Sequence, residues 1–208
     1  MILLVSKKTI ERLIIYKKLL EIEESKETIN IFSHQIAELS SLNSSLVRRD
    51  LMVLGYSGNQ KNGYNVKELI KYINEYLDPD QKINIILVGT GNLGRALLHY
   101  FTSVRAKYSI VACFDIDKSK IGNFYYYTKC FSLTDMEEII KKNNVSSAIL
   151  TVPSESAQEL ADKLINFGIK GIINFAAVRV KVPEDIYIEH MDFSITVEKI
   201  AFFARLKK

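Results

Sequence analysis

Cysteine is scarce: Cys113 and Cys130 are the two thiols in 208 residues, with no Cys-x-x-Cys spacing between them. That excludes a disulfide scaffold and makes a reducing cytoplasm the expected compartment. Histidine is equally sparse, with His34, His99 and His190 far apart in the chain, and no metal site is expected. Long apolar runs are missing too. Met1–Val5 is apolar, but Lys7, Lys8, Glu11 and Arg12 interrupt it at once, so it is not read as a signal segment, and nothing is long enough to span a bilayer. Charge of one sign is in small excess: 28 basic against 24 acidic residues give a net charge of +4 and a pI of about 8.9. That hints at a polyanionic partner and by itself argues nothing more. What the chain does have is 48% hydrophobic residues, enough for one ordinary core and a small second one, so two domains are expected.

The most informative stretch is Ile83 to Val88 followed by Gly89-Thr90-Gly91-Asn92-Leu93-Gly94. An apolar strand runs directly into Gly-x-Gly-x-x-Gly, in which Gly89 permits the tight turn, Gly91 lets a pyrophosphate approach the backbone, and Gly94 lets the next helix pack on the strand. That helix, Leu93 to Phe101, directs its N-terminal amides at the phosphates. The next strand, Ser109 to Phe114, ends on Asp115, where a carboxylate accepts hydrogen bonds from the adenine-side ribose and repels a 2′-phosphate. NAD(H) is therefore expected in preference to NADP(H). Two other readings stay open: a glycine turn that binds nothing, and one that holds another nucleotide such as coenzyme A.

From Lys82 onward strands alternate with helices, which predicts an α/β fold with a Rossmann-type doubly wound parallel sheet. The expected strands are Ile83–Val88, Ser109–Phe114, Ser146–Thr151, Gly171–Asn174 and Ile186–Glu189. Helices are expected from Leu93, from Asp135 with Thr134 and Glu137 as a capping box, and from Ser154 to Phe167 with Gly168 as the stop. Ahead of this, up to about Leu77, the pattern is helical. Ile10, Leu13, Ile14, Tyr16, Leu19 and Leu20 mark one face of a first helix, and a second starts at Ser33. After Ser40-Ser41-Leu42 a third restarts with Asn43 as N-cap and continues through Leu54. The glycine- and asparagine-rich stretch Gly55–Tyr64 reads as a small hairpin or wing, and a helix from Val66 to Leu77 closes the unit at Asp78-Pro79.

On the third helix Asn43, Ser44, Ser45, Val47, Arg48 and Arg49 lie near the expected exposed side, while Leu42, Leu46, Leu51 and Leu54 face inward. Such a face suits a DNA major groove, where small polar groups touch phosphates and base edges and arginine reads guanine with two donors. Lys61 in the wing and Lys7 or Lys8 would neutralise flanking phosphates. A protein-interaction bundle with solvated arginines is the alternative, since Glu21-Ile22-Glu23-Glu24 leaves this unit near neutral. At the other end, Ser194 to Leu206 carries Ile195, Val197, Ile200, Ala201, Phe202, Phe203, Ala204 and Leu206. A helix apolar on nearly every face needs more cover than its own sheet provides. We expect a homodimer in which it inserts into the partner; packing between the chain's own two domains is the alternative.

These features together resemble the Rex family of redox-sensing transcriptional repressors over essentially the full length. The resemblance rests on Val47-Arg48-Arg49-Asp50-Leu51 with Gly55 and Gly63-Tyr64, on Gly91-Asn92-Leu93-Gly94-Arg95-Ala96-Leu97, and on Phe114-Asp115-Ile116-Asp117 with Ile121-Gly122. It continues through Thr151-Val152-Pro153, Ala157-Gln158, Ala161-Asp162, Gly168 to Ile172 and Asn174-Phe175-Ala176. It implies a winged-helix DNA-binding domain over 1–80, a Rossmann domain over 81–192 that binds NADH and NAD⁺ competitively, and a domain-swapped dimerisation helix over 193–208. It implies repression, at an inverted-repeat operator in double-stranded DNA, of genes for fermentative and respiratory NADH reoxidation. The implied nucleotide contacts are Gly89, Thr90, Gly91, Asn92, Leu93, Gly94, Asp115, Ile116, Asp117, Thr151, Val152, Pro153, Asn174, Phe175, Ala176 and Phe203. The implied DNA contacts are Lys7, Ser33, Asn43, Ser44, Ser45, Arg48, Arg49, Lys61 and Tyr64. Three departures stand out: Gln60-Lys61-Asn62 where the family usually has arginine and glycine, Leu46 in place of a polar residue, and Ala177 where a proline usually follows Asn-Phe-Ala.

NADH and NAD⁺ differ in the nicotinamide ring, neutral when reduced and cationic when oxidised. Val152, Pro153, Phe175, Ala176 and the partner's Phe203 would form an apolar pocket around it, where an unpaired positive charge is costly, so NADH is expected to bind tighter. NADH would then favour a closed dimer whose recognition helices no longer match the half-sites. The resemblance favours Tyr100 and Asp192 as a polar link between subunits, with Lys18 where an arginine partner is expected. No catalytic residue is expected, because hydride transfer needs a general acid or base beside the substrate and only His190 lies where it could serve. A dehydrogenase, a coenzyme A domain and a nucleotide-binding interaction module are the competing classes. Cys113 and Cys130 lack the cationic neighbours that make a thiolate and are read as packing residues.

Overall fold

The computed structural model describes residues 5–59, 61–77, 83–103 and 108–206. They fall in two compact units, Met1–Gln81 and Lys82–Lys208. The first holds α1 (Lys7–Ser25), β1 (Asn30–Ile31), α2 (Ser33–Ser40), α3 (Ser44–Val53), β2 (Tyr64–Asn65) and α4 (Val66–Leu77). Side-chain oxygens start two of these helices: Ser6 accepts from the Thr9 amide at α1, and Asn43 accepts from the Ser45 amide at α3. Helix α1 buries Thr9, Leu13, Tyr16 and Leu20, whereas Ile14 is exposed. The buried stripe is narrower than expected because neighbours such as Leu13 and Ile14 sit about 100° apart around a helix. In α3, Val47 and Leu51 are fully buried. Val47 therefore faces the core, a turn away from the solvent side expected of it, while Leu42 and Leu54 pack against the same cluster.

The glycine-rich wing closes on a single antiparallel bridge, Asn59 with Gly63; Gln60 lies outside the described residues. Beyond it, Tyr64 pairs with Ile31 and Asn65 with Asn30, so the strand leaving the wing is anchored to the segment ahead of α2. The deepest polar feature of this unit is Asp50, on α3. Arg12 of α1 grips its carboxylate with two hydrogen bonds, Nε to Oδ2 at 2.6 Å and Nη2 to Oδ1 at 2.7 Å, and the Tyr16 hydroxyl donates to Oδ2 at 2.9 Å. Burial first, and then the Asp50 carboxylate, push the Tyr16 hydroxyl far above its ordinary pKa. Helix α3 is thus tied to α1 by one charged pair beside an apolar cluster.

The second unit is a seven-stranded sheet. Its strands are β3 (Ile83–Val88), β4 (Tyr108–Asp115), β5 (Phe124–Tyr125), β6 (Thr128–Ser132), β7 (Ser147–Leu150), β8 (Gly171–Asn174) and β9 (Tyr187–His190), in the order β5-β6-β4-β3-β7-β8-β9. Omitting the antiparallel edge strand β5, this is the 3-2-1-4-5-6 order of a doubly wound dinucleotide fold. Along β3 the side chains alternate: Ile86 and Val88 join one core layer with α6 (Met136–Lys142) and α7 (Ser154–Asn166), while Ile85 and Leu87 join the other with α5 (Asn92–Ser103). Two details differ from expectation. The β5–β6 hairpin was not anticipated, and the Thr134–Glu137 capping box does not form. Ser132 instead caps a short 3₁₀ turn, Leu133–Asp135, which takes Thr134 inside the helical run and starts α6 at Met136.

The layer containing Ile85 and Leu87 draws helical residues from α5 alone among the described residues, and its margin is formed by Ile173 and Phe175 at the end of β8. Helix α8 (Phe193–Leu206) buries none of its residues, leaving Ile195, Val197, Ile200, Phe202, Phe203 and Leu206 at least half exposed. Asp192 starts it, its Oδ1 accepting from the amide and hydroxyl of Ser194 at 2.9 and 2.6 Å.

Replacing Asp50 by alanine would strand the Arg12 guanidinium against an apolar cluster. We expect a loss of about 3 kcal/mol in urea unfolding followed by circular dichroism, largely restored when Arg12→Met is added to Asp50→Ala. An unchanged midpoint would show that the pair does not hold α3.

Candidate functional site

At the carboxyl ends of β3, β4 and β7 the sheet opens into a cleft of ≈ 550 Å³. It lies at the topological switch point, where the chain leaves β3 toward β4 on one side and later returns to β7 on the other. Gly89, Gly91, Asp115, Ile116, Asp117, Lys120, Thr151, Val152 and Pro153 line it. Gly89 turns the chain at φ +98°. A Cβ on Gly94 would fall 2.0 Å from the Gly89 carbonyl oxygen, so α5 can start directly under the turn only because residue 94 has no side chain. The Thr151 hydroxyl clamps the same carbonyl from β7, donating to Gly89 O at 2.7 Å. Gly91 is the opposite case. A Cβ there would meet nothing within 4 Å, so the space over the first turn of α5 is open on the cleft side. That opening, facing helix N-terminal amides, fits a pyrophosphate.

Asp115 closes the end of β4 and is 8% exposed. Its Oδ2 accepts from the Thr90 amide at 2.8 Å, the Thr90 hydroxyl at 2.6 Å and the Lys120 ammonium at 2.9 Å, while Oδ1 accepts from the Asp117 amide at 3.0 Å. Burial pushes the carboxyl up, but the Thr90 hydroxyl, the Asp117 amide and Lys120 outweigh it, and the group is held well below the ordinary carboxylate range. Thr90 itself is fully buried: it braces Asp115 and does not line the cleft. Lys120 was not singled out from the sequence. A lysine five residues past the strand-end aspartate carries no periodic signal, and its partner becomes visible once the loop folds back.

Asn92 and Leu93 form the exposed first turn of α5. Asn174, buried at the end of β8, sends its Nδ2 to Val178 O at 2.8 Å and accepts the Ala176 amide on Oδ1 at 3.0 Å. This shapes the turn that carries Phe175 and Ala176, where Ala177 stands. With Nδ2 pointing outward in that way, His190 Nδ1, 3.1 Å from it, acts as the acceptor. Phe203 is exposed on α8, and the Phe193 ring at the start of that helix lies 6.1 Å from Phe175.

In the first unit, Arg48 and Arg49 are exposed on α3. Arg48 reaches across to α2, donating to the Ser33 hydroxyl at 3.1 Å and to Ser45 at 3.2 Å, so these three residues form one polar face. Asn43 and Ser44 begin the same helix, Lys7 is exposed in the first turn of α1, and Lys61 is exposed in the wing. Tyr64 is half-buried against the apolar cluster, its hydroxyl raised first by burial. Lys18 is exposed on α1 and Tyr100 on α5. The Ser194 hydroxyl and amide hold the Asp192 carboxyl below its ordinary range. Cys113 and Cys130 face each other in register across β4 and β6, both buried, and burial raises both thiols, as suits packing residues.

A family model described as "CoA binding domain" matches residues 80–178, and one described as "Putative DNA-binding protein N-terminus" matches residues 4–51. The chain is 35% identical over 195 residues to the redox-sensing transcriptional repressor Rex of Listeria welshimeri, spanning 94% of this chain and 91% of that protein. It is 37% identical over 197 residues to Rex of Halalkalibacterium halodurans, spanning 95% and 93%. Among solved structures, RSP in complex with β-NAD⁺ and operator DNA matches with a TM-score of 0.91 at 30% identity, over 99% of this chain and 94% of that one. RSP in complex with β-NADH matches at 0.86 and 29% identity, over 99% and 96%.

Two glycine substitutions separate fold from site. Gly91→Ala has room for its methyl and should leave the melting temperature within about 2 °C, while weakening NADH binding, measured by fluorescence titration, by roughly ten-fold or more. Gly94→Ala drives a methyl into the Gly89 carbonyl and should cost about 3 kcal/mol of stability as well.

Proposed function

The chain belongs to the Rex family of redox-sensing transcriptional repressors, and we propose that it binds operator DNA as a homodimer and leaves it when NADH occupies the cleft. The observation that carries this reading is the pairing, in one chain, of a cleft open above Gly91 with an exposed Arg48–Ser33–Ser45 face. The relative RSP, named as a complex with operator DNA and β-NAD⁺ and as a complex with β-NADH, supports bringing all three ligands to this chain.

We assign residues 1–80 to DNA binding, 81–192 to the dinucleotide and 193–208 to dimerisation. At the operator, Arg48 and Arg49 meet base edges or phosphates in the major groove, and Asn43, Ser44, Ser45, Ser33, Tyr64, Lys7 and Lys61 supply contacts that fix register. In the cleft, the Gly89–Gly94 turn and the first turn of α5, with Asn92 and Leu93, hold the pyrophosphate. Thr90, Asp115, Ile116 and Asp117 build the adenosine end, and Thr151, Val152, Pro153, Asn174, Phe175 and Ala176 form the nicotinamide end. The partner's Phe203 completes that end and excludes water. The apolar side chains of Val152, Pro153, Phe175 and Ala176 disfavour a cationic ring against them, so the reduced form is held more tightly. Tyr100, Asp192 and Lys18 are proposed to carry the polar link that distinguishes the closed dimer from the open one.

The chain is proposed not to be an enzyme. His190 is occupied in accepting from Asn174, and it has a supporting role at the strand exit. No helix among the described residues is long and apolar enough to cross a membrane, and we place the protein in the cytoplasm beside the DNA it regulates. The coenzyme A reading, which the 80–178 match keeps in view, predicts DNA binding indifferent to NADH.

Fluorescence anisotropy of an inverted-repeat duplex at fixed salt tests the proposal. NADH should weaken binding by about ten-fold or more and NAD⁺ should leave it near its starting value; equal effects of the two would remove the redox reading. Arg48→Ala combined with Arg49→Ala should reduce operator affinity by at least roughly ten-fold and flatten its salt dependence. A chain ending at Asp192 should sediment as a monomer; an intact dimer would exclude α8 as the dimerisation element.

A further inference from the structure

In dinucleotide folds the adenine-side ribose is ordinarily met by a bare carboxylate at the end of the second strand. Asp115 is not bare. A carboxylate offers about four lone-pair directions; Thr90, through two donors, and Lys120 occupy Oδ2, and the Asp117 amide occupies one direction of Oδ1. One direction remains for a ribose that presents two adjacent hydroxyls. The second hydroxyl needs a donor, and Lys120 is the group in place: its ammonium lies 2.9 Å from Asp115 Oδ2 on the same cleft wall. It has three N–H donors, of which Asp115 takes one, and Asp117 Oδ2, at 3.9 Å, lies beyond hydrogen-bond distance.

The loop itself does not need this side chain. Asp117 Oδ1 accepts from the amide and hydroxyl of Ser119 at 2.9 and 2.6 Å, Asn123 Nδ2 donates to Ser119 O at 2.8 Å, and the Gly122 amide donates to Cys130 O at 2.8 Å. Asp115 is likewise oriented by Thr90 and the Asp117 amide without help from Lys120. A lysine kept against a buried acid that other donors already hold is free to turn one hydrogen toward the cleft.

We propose that Lys120 is a specificity-determining residue of the dinucleotide site: one adenine-ribose hydroxyl donates to Asp115 Oδ1 and the other accepts from Lys120 Nζ, so the diol is read by an acceptor and a donor together. This rests on the reading of the cleft as a dinucleotide site. Because NADH and NAD⁺ share that ribose, Lys120 sets affinity for both and contributes nothing to telling them apart.

The test uses the full chain and its Lys120→Met variant, with matched melting curves as the folding control. The ligands are NADH, NAD⁺, ADP-ribose, and ADP-ribose lacking the 2′ or the 3′ hydroxyl on the adenosine side. The variant should bind NADH, NAD⁺ and ADP-ribose weaker by a common factor of about ten or more, with the NADH to NAD⁺ ratio unchanged. For one of the two deoxy ligands the loss should shrink to within about two-fold of none, because the hydroxyl that Lys120 meets is already gone. An equal loss for all three ribose forms would reduce Lys120 to a brace on Asp115 and overturn the proposal, as would the absence of any loss. Failure of the unaltered chain to bind NADH or ADP-ribose would instead retire the dinucleotide reading, an outcome visible before the variant is examined.

Discussion

Helix α5 starts so tightly beneath its own preceding turn that a Cβ on residue 94 would strike the carbonyl oxygen of residue 89, the oxygen to which Thr151 donates its hydroxyl hydrogen. The turn, the helix that follows it and, 62 positions on, Thr151 meet at one atom. Because the turn cannot move away from β7 without losing the Thr151 hydrogen bond, the first amides of α5 point into the cleft. Because the helix cannot back away, the two halves of the sheet diverge at that point and leave the opening between them. The site is therefore a by-product of tight packing: the cleft is the space that the approach of β3, α5 and β7 cannot fill.

Two buried acids play parallel parts in the two units. Asp50 ties α3 to α1 through Arg12, and Asp115 ties the glycine turn to the loop after β4 through Thr90 and Lys120. In both, a carboxylate inside an apolar surround is tolerated because it is hydrogen-bonded, by Arg12 and Tyr16 at Asp50 and by Thr90 and the Asp117 amide, with Lys120 alongside, at Asp115. In both, the charge fixes an element that presents other groups to solvent: the arginine face in one unit, the glycine turn over the cleft in the other. The stabilising acids sit next to residues proposed to recognise ligand, Asp50 beside Arg49 and Asp115 beside Ile116.

Much of this is legible in the sequence, and for identifiable reasons. The run from Ile83 to Gly94 combines an apolar strand with three glycines at fixed spacing, and Asn43 ahead of a periodic stretch announced the start of α3; both signals are local. What was not legible depends on distance in sequence or on a local rule being broken. Arg12 and Asp50 are 38 positions apart, and nothing in either segment names the other. The β5–β6 hairpin turns on Tyr126 and Tyr127, both with positive φ, at +47° and +74°, where glycine or asparagine is the usual occupant; a turn made of tyrosines gives no turn signal. The polar residues around Val47 suggest an exposed stripe, whereas its burial follows from Leu51 one turn later. The Thr134–Glu137 pattern failed because Ser132, two residues earlier, captured the helix start.

Helix α8 offers large apolar side chains on all sides and buries none of them, while the sheet layer that α5 covers has no second helix among the described residues. In the proposed dimer, where a second copy covers Phe193–Leu206, the folded state has a population that depends on the chain's own abundance, since association and stability are then linked by mass action. Newly made chains at low copy number would expose this segment to proteases, and would persist only once enough partners accumulate. Such a regulator has a threshold for existing at all, set by its synthesis rate, beneath the threshold set by the nucleotide it reads.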